Sequence, residues 1–266
     1  LMSQGWVEQL APQMGTIYSW IATYLQHHIL FFGVMHIAAL LFVTTLFVLW
    51  RARYPQSYKD LLNDNNRNAV TMAPALAIGM TFNVFLVNGY FYIPWMQENM
   101  QSLMGWALAG WGAIWLYSMA AALRLQRRYL LNGFDVSKMH FGWLLIPFAL
   151  AMTGVGGSGI AALAQSKPIA VTAFFFSMIS FTFALFLTLV KVTSIFKSQY
   201  QSGLPEKIEF LPSFFMIIPI GTLFAVIMFR IGHFFDHQSI GEVGEMYYAL
   251  VTAGTWAFLG WYMVLG

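Results

Sequence analysis

Long apolar stretches alternate with short polar connections along most of the 266-residue chain. A helix needs about 20 apolar residues to cross the hydrocarbon core of a bilayer. Seven stretches meet that length: 29–50, 70–95, 103–124, 140–164, 168–195, 211–235 and 246–265. Inside a bilayer the backbone must satisfy its own hydrogen bonds, so these stretches predict helices. The expected fold class is all-α integral membrane, with residues 29–266 as the transmembrane domain. Residues 1–28 read as an interfacial or extracytoplasmic segment. Tyr18, Trp20 and Tyr24 give 11–28 the amphipathic aromatic character of a helix lying at the interface or extending the first span.

The pattern repeats. Pro74, Pro147 and Pro219 lie near the start of three apolar stretches, 73 and then 72 residues apart. Arg51, Arg124 and Lys197 close the alternate stretches and are spaced 73 and 73. A fixed period of this kind marks an architecture built from copies of one unit. The unit here is a pair of helices, one with proline and one without. Proline removes a backbone hydrogen bond and bends a helix, and neighbours or water can re-satisfy the freed carbonyl. The proline stretches also carry Gly79, Gly154, Gly156, Gly157, Gly159 and Gly221. Such small residues allow close helix approach or leave open space along an axis. The segment 168–195 is bulkier, with four Phe between 174 and 181, and reads as outer wall facing lipid. Kinked helices are therefore expected in an inner ring and bulky ones in an outer ring.

Composition agrees and adds orientation. The chain is 59% hydrophobic and 9% charged, against about 25% charged in soluble domains. It has no cysteine, hence no disulfide, thiolate metal site or cysteine nucleophile. Of 13 Lys and Arg, 11 fall in or beside the three alternate connections that follow 29–50, 103–124 and 168–195. Positive-inside bias puts those connections in the cytoplasm. That charge distribution explains the basic balance without nucleic acid as a partner. It also requires 29–50 to start outside. The preceding residues lack Lys, Arg and a signal-peptide pattern, the chain begins with Leu1, and it ends at Gly266 within apolar sequence. These features lead us to expect an internal portion of a longer chain, with at least one crossing before it.

The stretches RNAVTMAPALAIGM (67–80), HFGWLLIPFALAMTGVG (140–156) and LPSFFMIIPIG (211–221) carry a family resemblance. With the alternation around them, they resemble the tellurite-resistance/dicarboxylate transporter family of the TehA and plant slow anion channel type. The resemblance implies ten helices in five hairpins, of which at least seven fall in this portion, with kinked inner helices around a central pore. In that register 70–95, 140–164 and 211–235 correspond to inner helices two to four. The family's pore-plugging phenylalanine has no assignable position here. The implied function is transport of small anions (inorganic anions, sulfite or C4-dicarboxylates) by a channel or a carrier. A homo-oligomer, possibly a trimer in the family's manner, in an inner or plasma membrane with lipid around it, would be the working state. No enzymatic activity and no cofactor are implied.

The expected path is lined by Pro74, Gly79, Thr81, Asn83, Pro147, Met152, Gly156, Pro219 and Gly221. The middles of the three inner stretches contain no Asp, Glu or Lys, so a neutral lane would select by the cost of dehydrating the ion. Arg230 is the one charge lodged within a span. It either snorkels towards, or pairs with, Asp236, Glu242 or Glu245, or it contacts the anion. A second class of function remains open: His36 and His233 facing each other would ligate a haem in a membrane redox subunit. The GVGGSG run at 154–159 lies in an apolar span and is not a phosphate loop. No nucleotide loop, zinc-protease pair or hydrolase elbow is present in the sequence.

Overall fold

The computed structural model describes residues 31, 33–65, 67–133, 136, 139–203, 213 and 215–237. The expected interfacial segment and the stretch 246–265 lie outside the described residues. Eight α-helices are described: α1 Gly33–Arg53, α2 Pro55–Asn63, α3 Ala73–Tyr92, α4 Pro94–Glu98, α5 Met100–Asn132, α6 Leu145–Leu163, α7 Lys167–Ser202 and α8 Ile217–His237. Six of the helical segments are long and apolar enough to cross a membrane, those of α1, α3, α5, α6, α7 and α8.

The repeated prolines share a local structure. Each stands in the first turn of its α-helix, as the second residue of α3 and the third of α6 and α8. There the missing N–H is one the helix would leave unbonded anyway. A 3-10 turn runs straight into α3 (Asn68–Met72) and α6 (Phe141–Leu144), and 3-10 geometry also precedes α8 at 215–216. The joining residues Met72 (φ −83, ψ −10) and Leu144 (φ −71, ψ −8) have nearly the same backbone conformation. The kink expected from a hydrogen bond lost at proline is therefore not what these residues make; the change is one of helix type, just before the proline. The outer helices repeat as well. α5 and α7 end on Gly133 (φ 63) and Gly203 (φ 78), left-handed positions that suit glycine.

The predicted boundaries move where the local chemistry demands. The stretch 70–95 is not one helix: Ile93 turns extended before Pro94, which starts the short α4. α5 and α7, at 33 and 36 residues, outrun their apolar cores by several turns. At 1.5 Å per residue they span about 50 Å, well beyond a hydrocarbon core of about 30 Å. Arg124, Arg127 and Lys197 are therefore exposed on helix ends, not in loops.

α6 is the hub, with 83% of its apolar window buried, against 6–39% for the other spans. It packs on α3, α5, α7 and α8. The larger core cluster lies at the proline end, around Met72, Phe141, Trp143, Leu150, Ile195 and Ile220. A second cluster at the other end holds Met104, Trp111, Ile160 and Phe234. Lipid is as apolar as leucine, so close packing and hydrogen bonds must hold such helices together. The glycine run of α6 supplies the close packing on several sides. A Cβ at Gly157 would lie 2.2 Å from Trp111 Cζ2, and one at Gly154 would lie 3.0 Å from Ile227 Cδ1. Hydrogen bonds cross the same contacts: Trp111 Nε1 donates to the Thr153 carbonyl (2.8 Å), Thr153 Oγ1 to Ser118 Oγ (3.1 Å), and Ser177 Oγ to the Gly154 carbonyl.

α7 is not a plain lipid wall. Phe174 stacks on Phe234 and Phe181 meets Phe224 edge-on, both towards α8, while Phe175 is exposed. Ala184 is fully buried in the core. Lys191 is buried too, with Nζ 5.1 Å from the Tyr129 ring centre and 5.0 Å from that of Trp143. Sequence placed this lysine at the edge of a connection. The structure places it inside, between the Gly133 end of α5 and the 3-10 turn before α6.

Candidate anion site

α3, α6 and α8 converge on Arg230. Arg230 lies 13 residues past the start of α8, about 20 Å along the helix axis. Its side chain does not run out towards Asp236, and Glu242 and Glu245, the other carboxylates expected as partners, lie outside the described residues. The Arg230 side chain reaches across to α6, where Nη1 donates to the Val155 carbonyl at 2.6 Å. The same nitrogen stands 3.5 Å from Asn83 Oδ1 of α3. Gly159 makes the reach possible, since a Cβ there would meet Nη1 at 3.0 Å. Among the described residues Arg230 has no carboxylate partner. A bare cation within a span is costly unless it faces protein or a water-filled space.

Arg230 faces α3 and α6 and a cavity between them. The cavity, of about 340 Å³, is lined from α3 by Asn83, Leu86, Val87 and Tyr90, and from α6 by Gly156, Gly159, Ile160 and Leu163. Met96, Met100, Leu103, Met104 and Ala107 complete the wall. At the rim, Gln101 Nε2 donates to the Leu163 carbonyl (3.1 Å) and the Gln165 N–H donates to Gln101 Oε1 (2.9 Å). This reciprocal pair ties the start of α5 to the end of α6.

The expected path residues separate into groups. Asn83 and Gly156 line the cavity beside Arg230. Gly79 and Met152 lie next to it in the α3–α6 contact: Asn83 Nδ2 donates to the Gly79 carbonyl (2.9 Å) and lies 3.7 Å from Met152 Sδ. Thr81 turns the other way, to His36 of α1, at 3.2 Å. Pro74, Pro147, Pro219 and Gly221 sit near the helix starts and do not line the cavity. Gly156 also has a packing role, because a Cβ there would lie 2.9 Å from Trp111 Cδ1. Enlarging Gly156 would therefore disturb the core as well as the lane.

The contribution of the non-proline helix α5 and the short α4 was missed from sequence. Its signal was present in Met96, Met100 and Met104, spaced by four, which places Met100 and Met104 on one face of α5. The histidines do not favour haem: His36 engages Thr81, and His233 meets the Phe229 ring of its own helix edge-on at 4.7 Å. Among the described residues no group of three or more His, Cys, Asp or Glu is placed to hold a metal.

Arg230 gives the cavity a fixed positive charge in otherwise apolar surroundings, which is chemistry for an anion. No curated protein and no solved structure matches the chain significantly. Residues 2–266, nearly its whole length, match the family described as voltage-dependent anion channel. The chain is a multi-pass membrane protein that belongs to this anion channel family.

Proposed function

We propose that anions pass along the junction of α3, α6 and α8, and that Arg230 is the fixed charge that draws them in. The observation that carries this reading is the Arg230 guanidinium, held by Val155 and Asn83 and open to a cavity, with no carboxylate partner among the described residues. Gly79, Asn83, Met152 and Gly156 belong to this path. Pro74, Pro147, Pro219 and Gly221 shape its basic end, through the helix starts. Exposed Arg51, Arg124 and Lys197 stand on the basic side and enrich anions at that mouth. We place that side in the cytoplasm, and the protein in the inner or plasma membrane as a trimer. Cross-linking of the full-length protein in membranes tests the trimer.

One cation in an apolar cavity favours monovalent anions. A C4-dicarboxylate would bring a second charge with no partner, and an unpaired buried charge is expensive. Among monovalent anions the weakly hydrated ones lose least on entering. The test is flux into liposomes that hold the full-length protein, compared across nitrate, chloride, sulfite and a dicarboxylate. Nitrate should lead and the dicarboxylate should trail by at least about tenfold, the equivalent of about 1.4 kcal/mol. Equal or faster dicarboxylate flux would refute the monovalent reading.

A further inference from the structure

The Arg230 cavity is larger and more apolar than an inorganic anion needs. Its volume of about 340 Å³ falls within the range of organic ligand sites, about 300–1,000 Å³. A water molecule occupies about 30 Å³ of liquid, so a small ion would fill little of it. The polarity is one-ended. Arg230 and Asn83 stand together at one side, Tyr90 is the one other polar side chain of the lining, and Leu86, Val87, Leu103, Ile160 and Leu163 make much of the remainder. Met96, Met100 and Met104 add unbranched thioethers, which adapt to varied apolar shapes.

The guanidinium is only partly used. Nη1 serves Val155 and Asn83. Among the described residues Nε and Nη2 have no hydrogen-bond partner. That edge of a guanidinium offers two parallel N–H groups, the geometry a carboxylate accepts. We propose that the cavity binds amphipathic monocarboxylates. The carboxylate takes the Nε–Nη2 edge of Arg230, the alkyl chain lies along the apolar wall, and the bound molecule blocks the anion path. The block rests on the pathway reading above, whereas the binding rests on the cavity alone. A neutral alcohol lacks the charge, an amine has the wrong sign, and a long dicarboxylate buries a second charge without a partner.

The experiment uses the full-length protein in nanodiscs for binding and in liposomes for nitrate flux, with protein-free liposomes as the background. The probes are acetate, butanoate, hexanoate and octanoate, with octan-1-ol, octylamine and octanedioate as comparisons. Each buried methylene should tighten binding about fourfold. Octanoate should bind at least tenfold tighter than octan-1-ol or octanedioate, and should inhibit nitrate flux over the same concentrations. Ala107→Phe places a ring in the apolar part of the cavity. It should weaken octanoate binding at least tenfold, and acetate binding by a much smaller factor. Affinity independent of chain length, or octan-1-ol binding as tightly as octanoate, overturns the proposal. Nitrate flux that saturating octanoate leaves untouched also overturns it, while the pathway reading stands. Octanoate binding without any nitrate flux upholds the site and overturns the pathway.

Discussion

Gly157→Ala adds one methyl group, at the tightest contact of the hub helix. The new Cβ would lie 2.2 Å from Trp111 Cζ2 and 2.6 Å from Cη2, inside van der Waals contact by more than an ångström. The indole has little room to yield, because Trp111 is only 2% exposed and its Nε1 is bound to the Thr153 carbonyl at 2.8 Å. Overpacking of a core costs about 1–3 kcal/mol. If the ring turns away, the lost hydrogen bond adds about 1 kcal/mol. We expect Gly157→Ala to destabilise the fold by about 2–4 kcal/mol. Controls are Gly105→Ala and Gly112→Ala on α5, where an added Cβ meets nothing within 4 Å. Those changes should be neutral or stabilise by up to about 1 kcal/mol through helix propensity. The assay is reversible unfolding of the full-length protein in mixed micelles, followed by circular dichroism. Trp111→Phe in the Gly157→Ala background should recover part of the loss, a coupling of at least about 1 kcal/mol. Gly157→Ala behaving like Gly105→Ala, within about 0.5 kcal/mol, would refute this account of why the run is glycine.

Tyr129→Phe removes the hydroxyl that donates to buried Asn68 Oδ1 and should cost about 1–3 kcal/mol in the same unfolding assay, because the Asn68 acceptor is left in the core. Lys191→Met should stabilise by about 1 kcal/mol, since burying a charge in a span costs about 3 kcal/mol and cation–π contact with Tyr129 and Trp143 returns about 2; a loss of stability would show that the charge has a further role. Cysteines at Lys59, Leu131 and Tyr200, all exposed at the basic end, should resist impermeant thiol reagents added outside intact cells, and labelling at two of them would reverse the orientation. These positions avoid Gly133 and Gly203, whose left-handed backbone would strain any cysteine.

The helices and their repeat were legible because each rests on a local rule. Apolar length marks a span, and the proline spacing marks the repeat, although proline was read as a bend within a helix and stands in the first turn instead. The equivalence of Pro74, Pro147 and Pro219 reappears as three first turns that follow 3-10 geometry. The side-chain directions were less legible. Thr81 and Asn83 are two residues apart, so on a helix they point to nearly opposite sides: Asn83 reaches the cavity and Thr81 reaches α1. The reading of 168–195 as outer wall, where Ala184 is buried, and of Lys191 as part of a connection failed for a related reason. A uniformly apolar helix has no polar stripe to show which face is inside, and α7 packs extensively on α6. The glycine run was ambiguous between packing and open space. Gly157 serves Trp111 and Gly159 makes room for Arg230, a division that depends on which neighbour each meets. The inward course of Arg230 was likewise beyond sequence, because Asp236 offered a nearby partner of opposite charge and the distance to Val155 depends on the fold.

The central claim is that Arg230 supplies the charge that draws anions into the path. Its most direct test is nitrate flux through full-length protein in liposomes, measured for wild type, Arg230→Lys and Arg230→Gln at equal protein content. The account predicts that Arg230→Gln lowers flux at least about tenfold, because removing a positive charge in a weakly screened cavity forfeits more than about 1.4 kcal/mol of attraction. Arg230→Lys should retain an intermediate flux, since it keeps the charge and loses the Nη1 contacts to Val155 and Asn83 and the planar guanidinium. Arg230→Gln conducting nitrate as fast as wild type, in protein shown to be folded by circular dichroism, would contradict the account.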